Sequence, residues 1–248
     1  MPEGPQMVIL KEEVEQFIDQ LLLCVDGNAK DIPLDKIKGS RLIDVKTFGK
    51  EILFCFQQSA IRIHLMLFGK YAIDSELNRV LRLGLEFESG TINFYACECK
   101  FIEGPPDEAY DWSIDVMNRS FNRQKALEKL LNKPKQLICE ALLDQNILAG
   151  VGNKIKNDVL FRKRVHPESV VGEIPPKVLQ DLIDECVYLS FEYLEAKREG
   201  TDGELWQVYK RKECKRDQIP IQKQKIGKSG RSCYFCDKCQ SLYIREDE

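Results

Sequence analysis

No run of apolar residues in this 248-residue chain approaches the roughly 18–20 that a membrane-spanning helix needs; the longest candidate is broken by Gln57, Gln58, Arg62 and His64. No membrane partner is therefore expected. The opening MPEGPQ lacks a basic segment followed by an apolar one, so no secretory signal is expected either. Internal repeats and low-complexity linkers are missing, and the parts of the chain are expected to pack tightly and face each other across a cleft. An excess of basic residues is missing too. With 37 Lys and Arg against 40 Asp and Glu, the formal charge is −3 and the isoelectric point about 5.7. Taken alone, that balance argues against a nucleic-acid binder. What is present, 43% hydrophobic and 31% charged residues, is the composition of a soluble globular protein and excludes collagen-like or wholly disordered chains. The length suits one large domain or two ordinary ones.

Ten cysteines in a chain without a secretory signal do not predict disulfides. Cys24, Cys55, Cys97, Cys99, Cys139 and Cys186 lie in apolar or strand-like segments and are expected as small, buried or half-buried thiols. Cys214, Cys233, Cys236 and Cys239 instead crowd the last 35 residues. Charge is just as uneven. Between Val208 and Arg231 nine Lys or Arg residues face two acids, a net of +7, which leaves −10 on the remainder. A basic module thus adjoins an acidic body, and a polyanion responds to the local field rather than to the sum.

The hydrophobic period divides the chain further. From Gln6 to about Val25, apolar residues recur at three- and four-residue spacing, as on one face of a helix. Leu42–Val45, Ile52–Phe56, Ile61–Leu65, Val80–Phe87 and Thr91–Tyr95 are short β-rich runs joined by tight turns, which predict an antiparallel sandwich or barrel. From about Asn118 the period is helical again. Helices are expected over Gln124–Leu131, Lys135–Gln145, Asn153–Arg164 and Pro176–Arg198, the last with prolines at its first turn. The tail returns to β character around Gly227 and Gly230. The expected class is α+β: an N-terminal β-sandwich domain with a leading helix over residues 1–117, a helical domain over 118–205 and a β-hairpin module over 206–248.

Three places carry chemistry. Pro2 is small enough for the initiator methionine to be expected to come off, leaving a secondary amine. An α-amino group titrates near 7.7–8.0, so part of it is nucleophilic at neutral pH. Attack on an aldehyde-like carbon gives an iminium, a cation with no N–H proton to lose and hence a standing electron sink. Glu3 follows as a group able to give and take protons. Secondly, Gly150-Val151-Gly152-Asn153 precedes a helical stretch; its glycines allow a tight turn and the helix start offers free N–H groups to an anion. Thirdly, Cys214-Lys-Arg-Asp217 and Cys236-Asp-Lys-Cys239 resemble the two halves of a zinc ribbon, with a carboxylate in place of one thiolate. Cys214, Asp217, Cys236 and Cys239 would close a mixed-donor structural zinc site; Cys233 is a competing fourth ligand, and a metal-free hairpin is the third reading.

Together these motifs resemble the formamidopyrimidine-DNA glycosylase and endonuclease VIII family of base-excision repair enzymes, over essentially the whole chain. MPEGP is similar to the start of the endonuclease VIII branch, Thr47–Lys50 to its strand-loop lysine segment, Leu142–Asn153 to its helix-two-turn-helix signature, and Gly230–Gln240 to its C-terminal finger. The resemblance implies a bifunctional glycosylase and abasic-site lyase that extrudes a damaged base from duplex DNA. Pro2 would then be the nucleophile, Glu3 the proton carrier, and Lys50, Asn153 and Arg231 phosphate grips that position the strand. Met66, Leu67 and Phe68 would be the apolar wedge that fills the vacated stack; the rival reading of these three is strand core.

The MPEGP start and the short Ala196–Tyr209 segment imply oxidised pyrimidines rather than oxidised purines as substrate, and the family's habit implies a monomer acting on DNA in a nucleoid or nucleus. Three positions depart from the family pattern. Gln6 replaces a usual glutamate, Asp158 replaces a glutamate after Asn153, and Asp217 replaces a cysteine. They leave open a second class of function, a damaged- or single-stranded-DNA-binding relative without lyase activity.

Overall fold

The computed structural model describes residues 2–30 and 32–245, the side chains of residues 34 and 35 excepted. Two compact units divide between Trp112 and Ser113. In the first, Pro5 suits the opening turn of α1 (Gly4–Val14), which buries Met7, Leu10 and Val14. A 3-10 turn over Glu15–Phe17 follows, Asp19 adopts a positive φ of 69°, and the chain enters β1 (Leu22–Asp26). The helical face expected to reach Val25 therefore stops at Val14. Phe17 stacks on Phe87 with ring centroids 5.0 Å apart, and residues 22–26 find backbone partners in the strand Leu81–Phe87.

After a one-turn α2 (Leu34–Ile37) come β2 (Asp44–Phe48), β3 (Glu51–Phe56), β4 (Ser59–His64), β5 (Lys70–Ile73), β6 (Leu81–Phe87), β7 (Gly90–Tyr95) and β8 (Glu98–Glu103). They form two four-stranded antiparallel sheets, β1-β6-β7-β5 and β2-β3-β4-β8. Val45, Ile52, Phe54 and Ile63 of one sheet share a core with Leu83, Leu85, Ile92 and Phe94 of the other and with the buried face of α1. Phe54 meets Phe94 edge to face at 5.9 Å. This is the expected sandwich. Strands β1, β5 and β8 were not legible in sequence; β8 alternates Cys99 and Phe101 with charged residues and lies at a sheet edge.

The second unit starts its helices with α3 (Arg123–Leu131), whose Asn122 cap accepts the Lys125 N–H at 3.0 Å, a contact typically worth about 1 kcal/mol. Then follow α4 (Ile138–Ala141), α5 (Asn153–Arg162), the 23-residue α6 (Pro176–Arg198), α7 (Asp202–Leu205) and the hairpin β9 (Gln222–Ile226) with β10 (Arg231–Phe235). Leu130, Ile138, Leu148, Ile155, Val159, Leu182 and Leu189 form one core, which Ile226, Cys233 and Phe235 of the hairpin join.

The helix expected over Lys135–Gln145 shrinks to the single turn of α4. Beyond it the side chains of Asp144 and Gln145 bind neighbouring backbone and favour turns instead. Asn146 N–H donates to Asp144 Oδ1 at 2.9 Å. Gln145 accepts the Gly150 N–H at 3.1 Å and donates to the Leu143 and Val151 carbonyls. Lys133 pairs with Asp144 across the first turn. Residues 142–152 thus make two tight turns between α4 and α5.

Candidate functional site

In the first unit, Pro2 is half-buried and Glu3 is 3% exposed at the N-terminal boundary of α1. Gln6 sits three residues on and accepts the Glu3 N–H on Oε1 at 3.1 Å. A neutral amide therefore performs the backbone-holding half of a capping arrangement at the position where the family pattern has an acid. Met1, whose removal the sequence reading expects, lies outside the described residues. Helix α1 packs against β2 and β3, whose connecting turn is Gly49–Lys50. Gly49 takes φ 56°, the left-handed conformation such a turn requires, and Lys50 is buried to 9% exposure.

Near Lys50, β4 carries a charged row. Arg62 pairs with Glu51 at 3.2 Å and with Glu98, and Tyr110 donates to Glu51 at 3.0 Å. His64 is held below its ordinary value by burial and then by the cations Arg62 and Lys50, against the pull of Glu98; its ring is neutral at pH 7.

After β4 the chain turns outward. Met66 adopts φ 51°, and Met66, Leu67 and Phe68 are 42%, 51% and 72% exposed. Three consecutive apolar side chains thus face solvent, and the strand-core reading does not describe them. The loop is shaped from beneath. Gly69 N–H donates to the Leu65 carbonyl at 2.8 Å, and a Cβ on Gly69 would lie 1.9 Å from that oxygen. Arg79 donates to the Phe68 carbonyl at 3.2 Å.

In the second unit, Gly152 caps α5 and Asn153 is its first residue. Asn153 Nδ2 donates to the Ser232 carbonyl at 3.0 Å, Asn157 Nδ2 to the same oxygen at 3.3 Å, and Asn157 Oδ1 accepts the Tyr234 N–H at 2.9 Å. One face of α5 therefore holds the strand that begins at Arg231, which is itself exposed beyond the Gly227–Gly230 turn. Sequence reading singled out Asn153 and Arg231 but missed Asn157 and Lys156. The available signal was their i, i+3, i+4 spacing on one helical face. Asp158 is fully buried and accepts the backbone N–H groups of Gln207, Val208 and Tyr209, anchoring the segment that leads to the hairpin.

Donor atoms of Cys214, Asp217, Cys236 and Cys239 lie within 4.8 Å of one another. Cys214 and Cys239 sulfurs are 3.9 Å apart, and Asp217 Oδ2 stands 3.6 Å from Cys214 and 3.3 Å from Cys236. Tetrahedral zinc with Zn–S of about 2.3 Å needs sulfurs about 3.8 Å apart, so the four donors fit. Burial, Cys236 and Asp217 push Cys239 up to about 12, although the hydrogen bond from Arg216 opposes this. Arg216 covers the cluster, donating to the Phe161 carbonyl at 2.8 Å with its guanidinium 4.1 Å from that ring. Cys233, the competing fourth ligand, is placed elsewhere; its sulfur meets Lys156 Nζ at 3.1 Å. All ten cysteines are free thiols.

A two-sheet sandwich and a helix-two-turn-helix unit bearing a four-donor hairpin are found together in known proteins as well. The family model described as the formamidopyrimidine-DNA glycosylase H2TH domain matches residues 113–202. Endonuclease 8-like 3 of Xenopus laevis is 27% identical over 229 residues, covering 84% of this chain and 36% of that protein. Endonuclease 8-like 2 of Bos taurus is 33% identical over 165 residues, covering 65% and 48%. This chain thus spans between a third and a half of the length of these curated relatives. Among solved structures, Lactococcus lactis formamidopyrimidine-DNA glycosylase non-covalently bound to abasic-site DNA superposes with a TM-score of 0.84 at 22% identity, covering 96% of this chain and 99% of that one. The H2TH match, the endonuclease 8-like relatives and the shared fold together support the formamidopyrimidine-DNA glycosylase and endonuclease VIII family.

Proposed function

We propose that this protein is a base-excision DNA glycosylase with abasic-site lyase activity, acting on oxidised pyrimidines in duplex DNA through Pro2. The observation that carries the reading is the buried Glu3 at the head of α1, directly after Pro2 and tied to Gln6, in a chain with this family's fold. On a chain that begins at Pro2, the amine lone pair attacks C1′ of the extruded nucleoside and the C1′–N bond breaks with its electrons leaving on the base. Glu3 protonates the ring oxygen as the sugar opens, and the nitrogen lone pair forms the iminium. That cation acidifies the 2′ hydrogens; loss of one drives β-elimination of the 3′ phosphate, and δ-elimination at the 5′ side follows.

Lys50, Asn153 and Arg231 grip phosphates, and Met66, Leu67 and Phe68 fill the vacated stack. The basic hairpin supplies the attraction for DNA, so binding weakens steeply with salt. Cys214, Asp217, Cys236 and Cys239 would hold a structural zinc, which would fix the hairpin that carries Arg231. The pyrimidine preference is supported by the short Ala196–Tyr209 segment leading from α6 to the cysteine-bearing module. There Gly200 at φ 74° ends the helix, the single turn of α7 follows, and Trp206 and Val208 are buried, which leaves little chain for a mobile cover over a purine. The protein acts as a monomer, where its DNA is, in nucleoid or nucleus.

Gln6, a neutral group beside the catalytic end, favours the second reading, a DNA-binding relative that makes no covalent intermediate. Borohydride trapping on duplexes carrying thymine glycol, dihydrouracil or 8-oxoguanine separates the two. The enzyme reading expects a reduced covalent adduct, strongest on the pyrimidine lesions and absent from Pro2-acetylated protein. No adduct from a chain shown by mass to begin at Pro2 would sink it.

A further inference from the structure

The wedge loop, residues 65–69, joins His64 of β4 to Lys70 of β5. His64 pairs with Glu98 in one sheet, while Lys70 and Leu81 both pair with Tyr95 in the other. The loop, the tight turn at Ala96 and the entry to β6 therefore share one end of the sandwich. Residues 74–80 run back to that end. There the Leu77 N–H donates to the Tyr95 hydroxyl at 3.1 Å, and Arg79 donates to the Phe68 carbonyl at 3.2 Å. Val80 is 77% exposed and Phe68 72%; among the described residues no other large apolar side chain is as exposed as these two. Two loops tied by one guanidinium thus each hold an apolar side chain in solvent. Val80 also walls an open cleft of about 500 Å³ with Asn28, Arg79, Arg82 and Ala96. Arg82 donates to the Asn28 carbonyl at 2.7 Å and to its Oδ1 at 3.0 Å, so the Asn28 side chain has its amide N–H groups left to donate. The wall carries two cations and no acid, the charge that a polyanion needs.

We propose that the cleft walled by Asn28, Arg79, Val80, Arg82 and Ala96 takes the unpaired nucleotide of the strand opposite the lesion. This rests on the wedge reading of Met66, Leu67 and Phe68 and extends it to the second strand. Extrusion of the damaged base leaves its partner without a pair, and an unpaired base leaves the stack at the lowest cost. Its apolar face packs on Val80 and Ala96 and stacks on a guanidinium plane, as bases do in single-strand grooves. Its edge accepts a hydrogen bond from the Asn28 amide. Arg79 serves both strands: one guanidinium holds the wedge loop through the Phe68 carbonyl and offers its charge to a phosphate of the opposite strand. The two most exposed apolar side chains then have one task, filling the vacated stack and receiving the base displaced beside it.

The test binds the full chain to a duplex holding a tetrahydrofuran abasic analogue, with 2-aminopurine directly across from it, and to the lesion strand alone. Val80→Ser removes the apolar face. Arg79→Gln removes the charge but keeps a donor for the Phe68 carbonyl. Each should weaken duplex binding at least about fivefold more than single-strand binding, the low end for one stacked base. The 2-aminopurine should brighten when the native chain binds, and Asn28→Ala should diminish that signal. Both altered side chains of the affinity test are exposed, so an unchanged melting temperature confirms that each variant folds. Duplex affinity unchanged in Val80→Ser and Arg79→Gln, with a loss in the chain carrying Leu67→Ala and Phe68→Ala, would overturn the cleft and leave the wedge standing. No loss in any of these chains would overturn the wedge reading and the cleft together.

Discussion

Truncating Asp158 to alanine tests how the second unit holds its hairpin. The carboxylate is completely buried and accepts three consecutive backbone N–H groups, at 2.5 Å from Gln207, 3.4 Å from Val208 and 3.1 Å from Tyr209. Gln207 is exposed, so its N–H can turn to water, but Val208 is fully buried and Tyr209 half-buried. Leaving a buried donor unsatisfied costs about 1–3 kcal/mol, and relief of the buried charge returns part of that, so the expected loss is about 2–4 kcal/mol. Urea titration followed by Trp206, the residue just before the clamped segment, reads it; a Trp112→Phe background removes the only other tryptophan.

Asp158→Asn keeps one acceptor oxygen and should fall between alanine and the native chain. The pH dependence has a sign as well. Burial raises the Asp158 pKa above its ordinary 3.8 despite the three N–H donors. The folded state therefore binds the proton more readily, and the native chain gains on the alanine variant as pH falls through the folded pKa towards 3.8. A loss below about 1 kcal/mol on the alanine chain would refute the clamp, since it would mean that the donors find water as easily as the carboxylate.

Three further outcomes follow from the same geometry. Asp144 is half-screened by burial, which pushes its pKa up, but hydrogen bonds from Lys133 and the Asn146 N–H bring it below 3.8. Its contribution is present above that pH and lost as pH falls through the lower folded value, so acid melts should show the native chain converging on Asp144→Asn below about pH 4, and a constant gap down to pH 2 would exclude this. Asp217→Ala should weaken zinc binding at least tenfold in chelator competition and Asp217→Cys should restore or exceed it; unchanged affinity in the alanine chain would remove Asp217 from the donor set. Leu67→Ala with Phe68→Ala should leave the melting temperature within about 2 °C, because both side chains face solvent, while lowering affinity for lesion duplex severalfold; equal losses of both would make them core residues instead.

The local features were legible because local chemistry produces them. Pro175 and Pro176 start α6 and the apolar spacing of Leu179, Leu182, Ile183, Cys186 and Leu189 carries it, so its bounds are readable residue by residue. The hairpin turn at Gly227 and Gly230, the cysteine pair at 236 and 239, and the unusual Asp217 were equally visible, since spacing alone brings such groups within reach of one another. Tertiary structure decided the rest. Leu22–Asp26 continues an apolar helical pattern yet forms a strand, because β6 offers its backbone a partner that sequence spacing cannot reveal. Cys233 could have closed the metal site by count of residues, but the pleat of β10 turns alternate side chains to opposite faces and sends its sulfur to Lys156. The role of Gln6 was hidden for the same reason: only the folded chain shows which N–H its oxygen accepts.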